Sequence, residues 1–153
     1  MISWGILNDL IDKAKTLDYR EGLAVVFDLQ TTKIEIVRLN TEEQLFEGIN
    51  SDGQLLDDVG GAYRPFTIAE KQRKGQPFDR VTLFDSGKLY DSYKVPKVTL
   101  DGFVIEADTI KEGEDLEDRY GNLEGLTEES QEVILTFITP DYAHWLIQEF
   151  RNV

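Results

Sequence analysis

"YKVPKVTLDGFVIEADTI", residues 93–110, is the stretch that decides the class of fold. It contains two strand-like segments with Asp101-Gly102 between them. An Asp-Gly pair between alternating apolar positions is the strongest short-range signal for a β-hairpin, because both central residues of a type I′ turn need a positive φ. Pro96 cannot donate to a strand ladder, so the first strand is expected to lie at an edge or to carry a bulge. The sequence therefore predicts an antiparallel hairpin here.

Helical patterns lie on both sides of this hairpin. Residues 3–17 place five apolar side chains on one helical stripe behind Ser3 as N-cap. These five are Leu7, Leu10, Ile11, Ala14 and Leu17. Near the other end, Thr127 caps a predicted helix over residues 128–138, and Thr139-Pro140 restarts or kinks it. We therefore predict one α+β domain over residues 1–153, with a small antiparallel sheet, an N-terminal helix, a loop-rich central arm and C-terminal helices.

The segments between these helices and the hairpin give weaker signals. Residues 22–39 are rich in β-branched residues without a clear turn pair, so a hairpin around residues 30–32 and a helix ending near Leu39 both remain open. Glycine-containing turn signals that follow predict an extended, poorly regular arm at about residues 48–66. Thr67 then caps a short predicted helix, which ends at Gly75 and Pro77.

The charge is large and unevenly distributed. The chain carries 16 basic and 30 acidic residues, for a net charge of −14, which disfavours binding to nucleic acid phosphates and to anionic lipid. Residues 64–97 nevertheless contain eight basic and four acidic residues, so a basic middle segment lies between acidic flanks. Such a distribution allows copies of the chain to dock head to tail.

Several classes of function are disfavoured by the residues present. No apolar run is long enough to span a bilayer, the N-terminus lacks the pattern of a signal peptide, and the absence of cysteine fits a reducing cytosol. The single histidine, His144, lies in an aromatic-rich helix, and neither Ser86 nor Ser92 has the surroundings of a nucleophile that would pair with it. The acids at 112–118 indicate a solvated loop, with calcium as the less favoured alternative because the full EF-hand spacing is missing. We predict no enzyme, no cofactor and no metal.

The remaining distinctive stretch is "PFDRVTLFDSGKLYDSY", residues 77–93. It predicts a strand-to-helix corner, with Asp85 or Ser86 capping a helical turn that starts near Gly87. In this corner Leu89 packs inward, Ser92 closes the turn, and Gly87 supplies an unusual φ or a close backbone approach.

Three motifs in residues 40–95 resemble, in type and order, the tail-completion and head-tail connector proteins of tailed bacteriophages. They are "LNTEEQLFEGINSDG", "YRPFTIAEKQRKGQP" and "DRVTLFDSGKLYDSY". The last is similar to an "L-x-D-T-G-x-L/F-x-x-S" signature, with Ser86 where threonine is more usual. The amino-acid sequence of these motifs is most similar to that of proteins from phages of gut Bacteroidetes, in the crAss-like group. The resemblance covers about 55 of the 153 residues.

The resemblance implies a structural virion protein that forms rings at the head-tail junction. It implies that the structural motif comprises Asp85, Ser86, Gly87, Leu89 and Ser92. Candidates for subunit contacts in the preceding arm and helix are Tyr63, Arg64, Pro65, Lys71, Arg73 and Lys74. The expected partners are further copies of the chain and portal or tail proteins, with assembly in the host cytoplasm, and no membrane or sequence-specific nucleic acid. The alternative is an acidic phage protein that inhibits a host nucleic-acid-binding protein.

Overall fold

The structure is a computed structural model that describes residues 4–152. The described residues contain eight α-helices: α1 (Trp4–Thr16), α2 (Tyr19–Phe27), α3 (Gln30–Arg38), α4 (Leu56–Gly60), α5 (Pro65–Lys74), α6 (Lys88–Ser92), α7 (Leu116–Tyr120) and α8 (Glu128–Arg151). A π-helical segment, Leu39–Leu45, continues α3. Four short strands form two antiparallel pairs: β1 (Lys94–Thr99) with β2 (Gly102–Glu106), and β3 (Ile110–Lys111) with β4 (Glu114–Asp115). The predicted α+β class with a small antiparallel sheet is confirmed.

The first part of the chain is helical. The predicted N-terminal helix is present as α1, while its predicted N-cap, Ser3, lies outside the described residues. The question left open for residues 22–39 is settled by α2 and α3, which meet at residues 28–29, so the hairpin alternative is wrong. Thr32 and Ile36 are both fully buried, and their spacing of four places them on one helical face. Burial along that face explains why β-branched residues fold here as helix.

The hairpin of β1 and β2 forms where the Asp-Gly pair predicts it, but its turn is shifted by one residue. Thr99 pairs with Gly102, so the loop consists of Leu100 and Asp101, and Asp101 has a negative φ. The predicted type I′ turn centred on Asp101-Gly102 is therefore wrong. The strand register shifts between Lys94 and Lys97, which places a bulge around Pro96, as its missing N–H predicts.

The chain ends in one long helix, α8. The Thr127 side chain accepts a hydrogen bond from the backbone N–H of Ser130 at 3.2 Å, which confirms the predicted cap. Pro140 lies inside α8, so the predicted restart of the helix is wrong, and the alternative of a kink at this residue stays a prediction. A proline removes only one donor from the helical ladder, and burial of Ile134 and Ile138 holds the preceding turns against the core.

The central arm predicted at residues 48–66 is not extended. A β-bridge joins Ile49 to Leu55, the short helix α4 follows, and Asn50 is fully buried. The arm folds because the Asn50 side chain accepts hydrogen bonds from the backbone N–H groups of residues 52 and 54. These bonds form a local turn, which an extended chain cannot make. Helix α5 then begins at Pro65, two residues before the predicted cap.

One hydrophobic core unites these elements. Its buried members are Val26, Ile36, Leu39, Leu45, Leu56, Val81, Tyr93, Val95, Ile105, Tyr120, Leu123, Leu126, Ile134 and Ile138. They come from α2, α3, the π-helical segment, α4, the loop before α6, the hairpin and the residue before it, α7 and the connection after it, and the first half of α8. Within residues 4–152, no helix combines the length and apolar character needed to cross a membrane.

Candidate functional site

The segment before the predicted corner is a buried loop and not the strand that the sequence predicts. Val81 and Thr82 are fully buried, and side chains bond both of their N–H groups and the Thr82 carbonyl. The Asp57 carboxylate accepts from the Val81 N–H at 2.8 Å, and the Tyr63 hydroxyl accepts from the Thr82 N–H at 3.0 Å. The Tyr90 hydroxyl donates to the Thr82 carbonyl at 2.6 Å. Tertiary contacts therefore replace the ladder of hydrogen bonds that a strand would need.

Asp85 does not cap the helical turn α6. Its carboxylate accepts from the Lys74 ammonium at 2.7 Å and lies 3.4 Å from that of Lys111. The hydrogen bond from Lys74 is the largest of the causes that lower the pKa of Asp85. Ser86 accepts only weakly from the Lys88 N–H, at 3.4 Å. The sequence prediction failed here because the lysine partners of Asp85 lie far from it along the chain.

The other residues of the corner motif are placed by backbone geometry and packing. Gly87 is the residue before α6 and has φ of +88°, a left-handed conformation that side chains rarely adopt. Leu89 packs against the core. The Ser92 hydroxyl donates to the Leu89 carbonyl at 2.6 Å and accepts from the Asp108 N–H at 2.8 Å. The motif thus ties α6 to the end of the hairpin.

The candidates for subunit contacts divide into internal and exposed residues. Lys71 is only 6% exposed, because its ammonium group donates to the Phe84 carbonyl and lies 4.8 Å from the centre of the Tyr63 ring. Lys71 is therefore an internal residue, which corrects the expectation that it faces a neighbour. Tyr63 is half-buried, and its place among the contact candidates stays a prediction. The exposed candidates are Arg64, Pro65, Arg73 and Lys74, of which Arg73 pairs with Glu70 and Lys74 with Asp85.

A cavity of about 450 Å³ lies beside α5 and α7. Its lining mixes the cations Lys74 and Lys111 with the acid Asp85 that they neutralise. A carboxylate held by two ammonium groups is a weak base, so Asp85 is unsuited to general base catalysis near neutral pH. The only histidine, His144, is exposed, and its ring contacts Gln148 at 3.4 Å. The geometry at this cavity offers ion pairing and packing.

Sequence reasoning missed a set of buried amides that clamp the segment after α7. Asn40 donates to the Leu123 carbonyl and accepts from the Gly125 N–H, both at 3.0 Å. Gln44 donates to the Gly125 carbonyl at 2.9 Å and accepts from the Thr127 N–H at 3.0 Å. The only signal in the sequence was two amides four residues apart, which share one side of a helix.

Phe66 was also missed, because it stands outside the apolar stripes that the sequence suggests. It occupies the second position of α5 and is 78% exposed, next to the exposed Arg64. Large aromatic side chains in such positions are enriched at protein interfaces.

The acids at 112–118 do not surround a common centre. Glu112 and Gly113 form the turn between β3 and β4, and Asp115 accepts from the Glu117 N–H as the N-cap of α7. Among the described residues, no group of three or more histidine, aspartate and glutamate side chains is arranged to hold a metal ion.

Comparisons of this chain with protein-family models, with curated proteins and with solved structures found no match.

Proposed function

We propose that this chain is a structural virion protein of a tailed bacteriophage, a tail-completion, neck or ring subunit that acts at the head-tail junction by oligomerisation. The observation that carries the proposal is the set of large apolar side chains left exposed on α5 and α8. The resemblance of the three motifs in residues 40–95 supplies the class of assembly. The proposed partners are further copies of the chain and portal or tail proteins, within a virion assembled in the host cytoplasm.

Helix α8 is the clearest case of this exposure. Its buried residues are Ser130, Ile134 and Ile138, all in the first half of a 24-residue helix. Leu135 and Ile147 are 53% and 51% exposed. Scattered exposed apolar residues are ordinary on a monomer, but several along one helix, together with the exposed Phe66 on α5, are typical of an interaction surface. A subunit that binds neighbours through these helices would cover them.

The corner motif supports a structural role in a second way. Gly87, Leu89 and Ser92 set the path of the backbone, and Asp85 joins α5 to β3 through Lys74 and Lys111. Each group therefore has a role in the fold, which agrees with a protein that works through its shape and surface.

Electron microscopy tests the proposal directly. The recombinant protein should form closed rings, and purified virions of the corresponding phage should carry the chain as a layer at the neck. A protein that remains a monodisperse monomer and is missing from virions by mass spectrometry would overturn the proposal.

A second candidate is an acidic inhibitor of a host nucleic-acid-binding protein. It is favoured by the net charge of −14 and by exposed Glu128, Glu129 and Glu132 at the start of α8. An inhibitor that mimics DNA should present continuous negative charge, whereas Arg64, Arg73 and neighbouring cations interrupt it. Salt-sensitive binding of the chain to a nuclease of the host would favour this candidate over a virion subunit.

A further inference from the structure

We propose that copies of the chain bind head to tail through two complementary surfaces. The first, the aromatic-basic surface, comprises Arg64, Phe66, Ala69 and Arg73 on and beside α5. The second, the acidic-apolar surface, comprises Glu129, Glu132, Val133, Thr136 and Phe137 on α8. This inference rests on the proposed oligomerisation and names the residues that perform it.

The aromatic-basic surface follows from the helical spacing of α5. Phe66, Ala69 and Arg73 are three and four residues apart, so they share one face of the helix, and all three are exposed. Phe66 is the most exposed of the large apolar residues described. Arg64 stands beside it with no ion pair to any described residue, while Arg73 pairs only with Glu70, in an exposed contact that a neighbour's acid can replace at little cost.

The acidic-apolar surface follows from the spacing of α8. Its five residues recur at intervals of three, one, three and one, which aligns them along a single stripe. With Glu35 they line a shallow depression of about 550 Å³. Val133 and Phe137 are 43% and 41% exposed at its base. Glu129 and Glu132 form no ion pair with the described residues, whereas Glu35 is held by Arg38 at 2.8 Å.

The two surfaces match in both charge and polarity. Phe66 of one copy would fill the depression between Val133 and Phe137 of the next, and Arg64 would then face Glu129 and Glu132. Aromatic and arginine residues are the usual anchors of such contacts. The surfaces share no residue, so each chain carries both halves of the contact. An interface of this heterologous kind propagates into a ring when the rotation closes.

Charge reversal tests this assignment in the full-length chain. Arg64→Glu and Glu132→Arg should each raise the dissociation constant for self-association by at least about tenfold, as measured by sedimentation velocity. Lys97→Glu is the matched control, because Lys97 is exposed on β1, has no ion pair to a described residue and lies outside both surfaces. It should leave the mass of the oligomer unchanged. Circular dichroism should show that all three variants are folded.

Mixing the two variants provides the decisive comparison. Arg64→Glu and Glu132→Arg should each self-associate more weakly than the wild type, but an equimolar mixture should assemble more tightly than either alone, because each contact then joins opposite charges across alternating copies. If each variant forms the oligomer as readily as the wild type does, the assigned surfaces are wrong, while the proposed function still stands. Failure of the mixture to assemble would also overturn the assignment. A wild-type chain that stays monomeric throughout would overturn both.

Discussion

The buried carbonyl of Leu123 gives a quantitative test of the fold. It accepts hydrogen bonds from the Asn40 amide at 3.0 Å and from the Tyr93 hydroxyl at 2.8 Å, and both contacts are buried. Asn40 also accepts from the Gly125 N–H at 3.0 Å. Because two donors share one acceptor, removing either leaves the Leu123 carbonyl with the other. Removing both leaves a buried carbonyl that has lost both partners.

The expected energies follow from this sharing. Tyr93→Phe loses one hydrogen bond and should lower the free energy of unfolding by about 0.5–1.5 kcal/mol. Asn40→Ala also leaves the Gly125 N–H without its partner, so about 2–4 kcal/mol is expected. The double variant adds the desolvation penalty of the Leu123 carbonyl. The decrease in the free energy of unfolding of the double variant should exceed the sum of the two single decreases by about 1–3 kcal/mol.

The assay is urea unfolding of the wild type and the three variants at one protein concentration, followed by tryptophan fluorescence. Tyr19→Phe is the control, because the Tyr19 hydroxyl donates to the Ala14 carbonyl at 3.3 Å in an exposed contact. Tyr19→Phe should lower the free energy of unfolding by less than about 0.5 kcal/mol, and its effect should be additive with that of Asn40→Ala. Additivity of Asn40→Ala with Tyr93→Phe would refute the shared carbonyl as the source of coupling.

Three further predictions concern separate contacts. A Cβ on Gly22 would overlap the Trp145 ring, so Gly22→Ala should lower the free energy of unfolding in urea by about 1–3 kcal/mol, and by less once Trp145→Ala makes room. Asp85→Asn removes two exposed ion pairs and should lower the free energy of unfolding by at most about 1 kcal/mol, and 1 M salt should reduce this difference. The control is Asp91→Asn, because Asp91 is an exposed acid with no ion pair to a described residue. It should leave the free energy of unfolding unchanged at both salt concentrations. Burial raises the pKa of Tyr90, which favours its neutral form in the folded protein. Stability should therefore fall as pH rises above about 10, where tyrosine ionises in the unfolded chain, and fall less steeply in Tyr90→Phe.

Features that depend on neighbouring residues could be predicted from the sequence. The β1–β2 hairpin forms within residues 93–110 as predicted, although its turn is Leu100-Asp101 and not Asp101-Gly102. Helix α8 begins after Thr127 because a threonine hydroxyl can bond the N–H three residues later. Gly75 ends α5 in the left-handed conformation, with φ of +68°. Each signal lies within a few residues of the feature that it determines.

Features that depend on distant contacts could not be predicted in this way. Asp85 is a good helix cap by type, but Lys111, 26 residues away, and Lys74 bind its carboxylate. Residues 81–84 have the composition of a strand, yet Tyr63, with its hydroxyl on the Thr82 N–H, helps to hold them as a buried loop. Only the folded chain shows which side chains reach these backbone groups.

The candidate interaction surfaces were partly visible in the sequence. The basic character of residues 64–97 indicated that this segment could meet an acidic one. Sequence reasoning chose Lys71 within it, although the folded chain buries that side chain, and passed over Phe66, which it exposes. Exposure depends on how α5 packs, and a helix with a weak apolar stripe leaves its orientation undetermined.

The most direct test of self-assembly is the mass of the full-length wild-type protein in solution across a concentration series. One chain has a mass of 17.5 kDa. Our account predicts that native mass spectrometry will show one dominant oligomer, an integer multiple of that mass that stays constant once formed, as a closed ring requires. A single species at 17.5 kDa at every concentration would contradict the account.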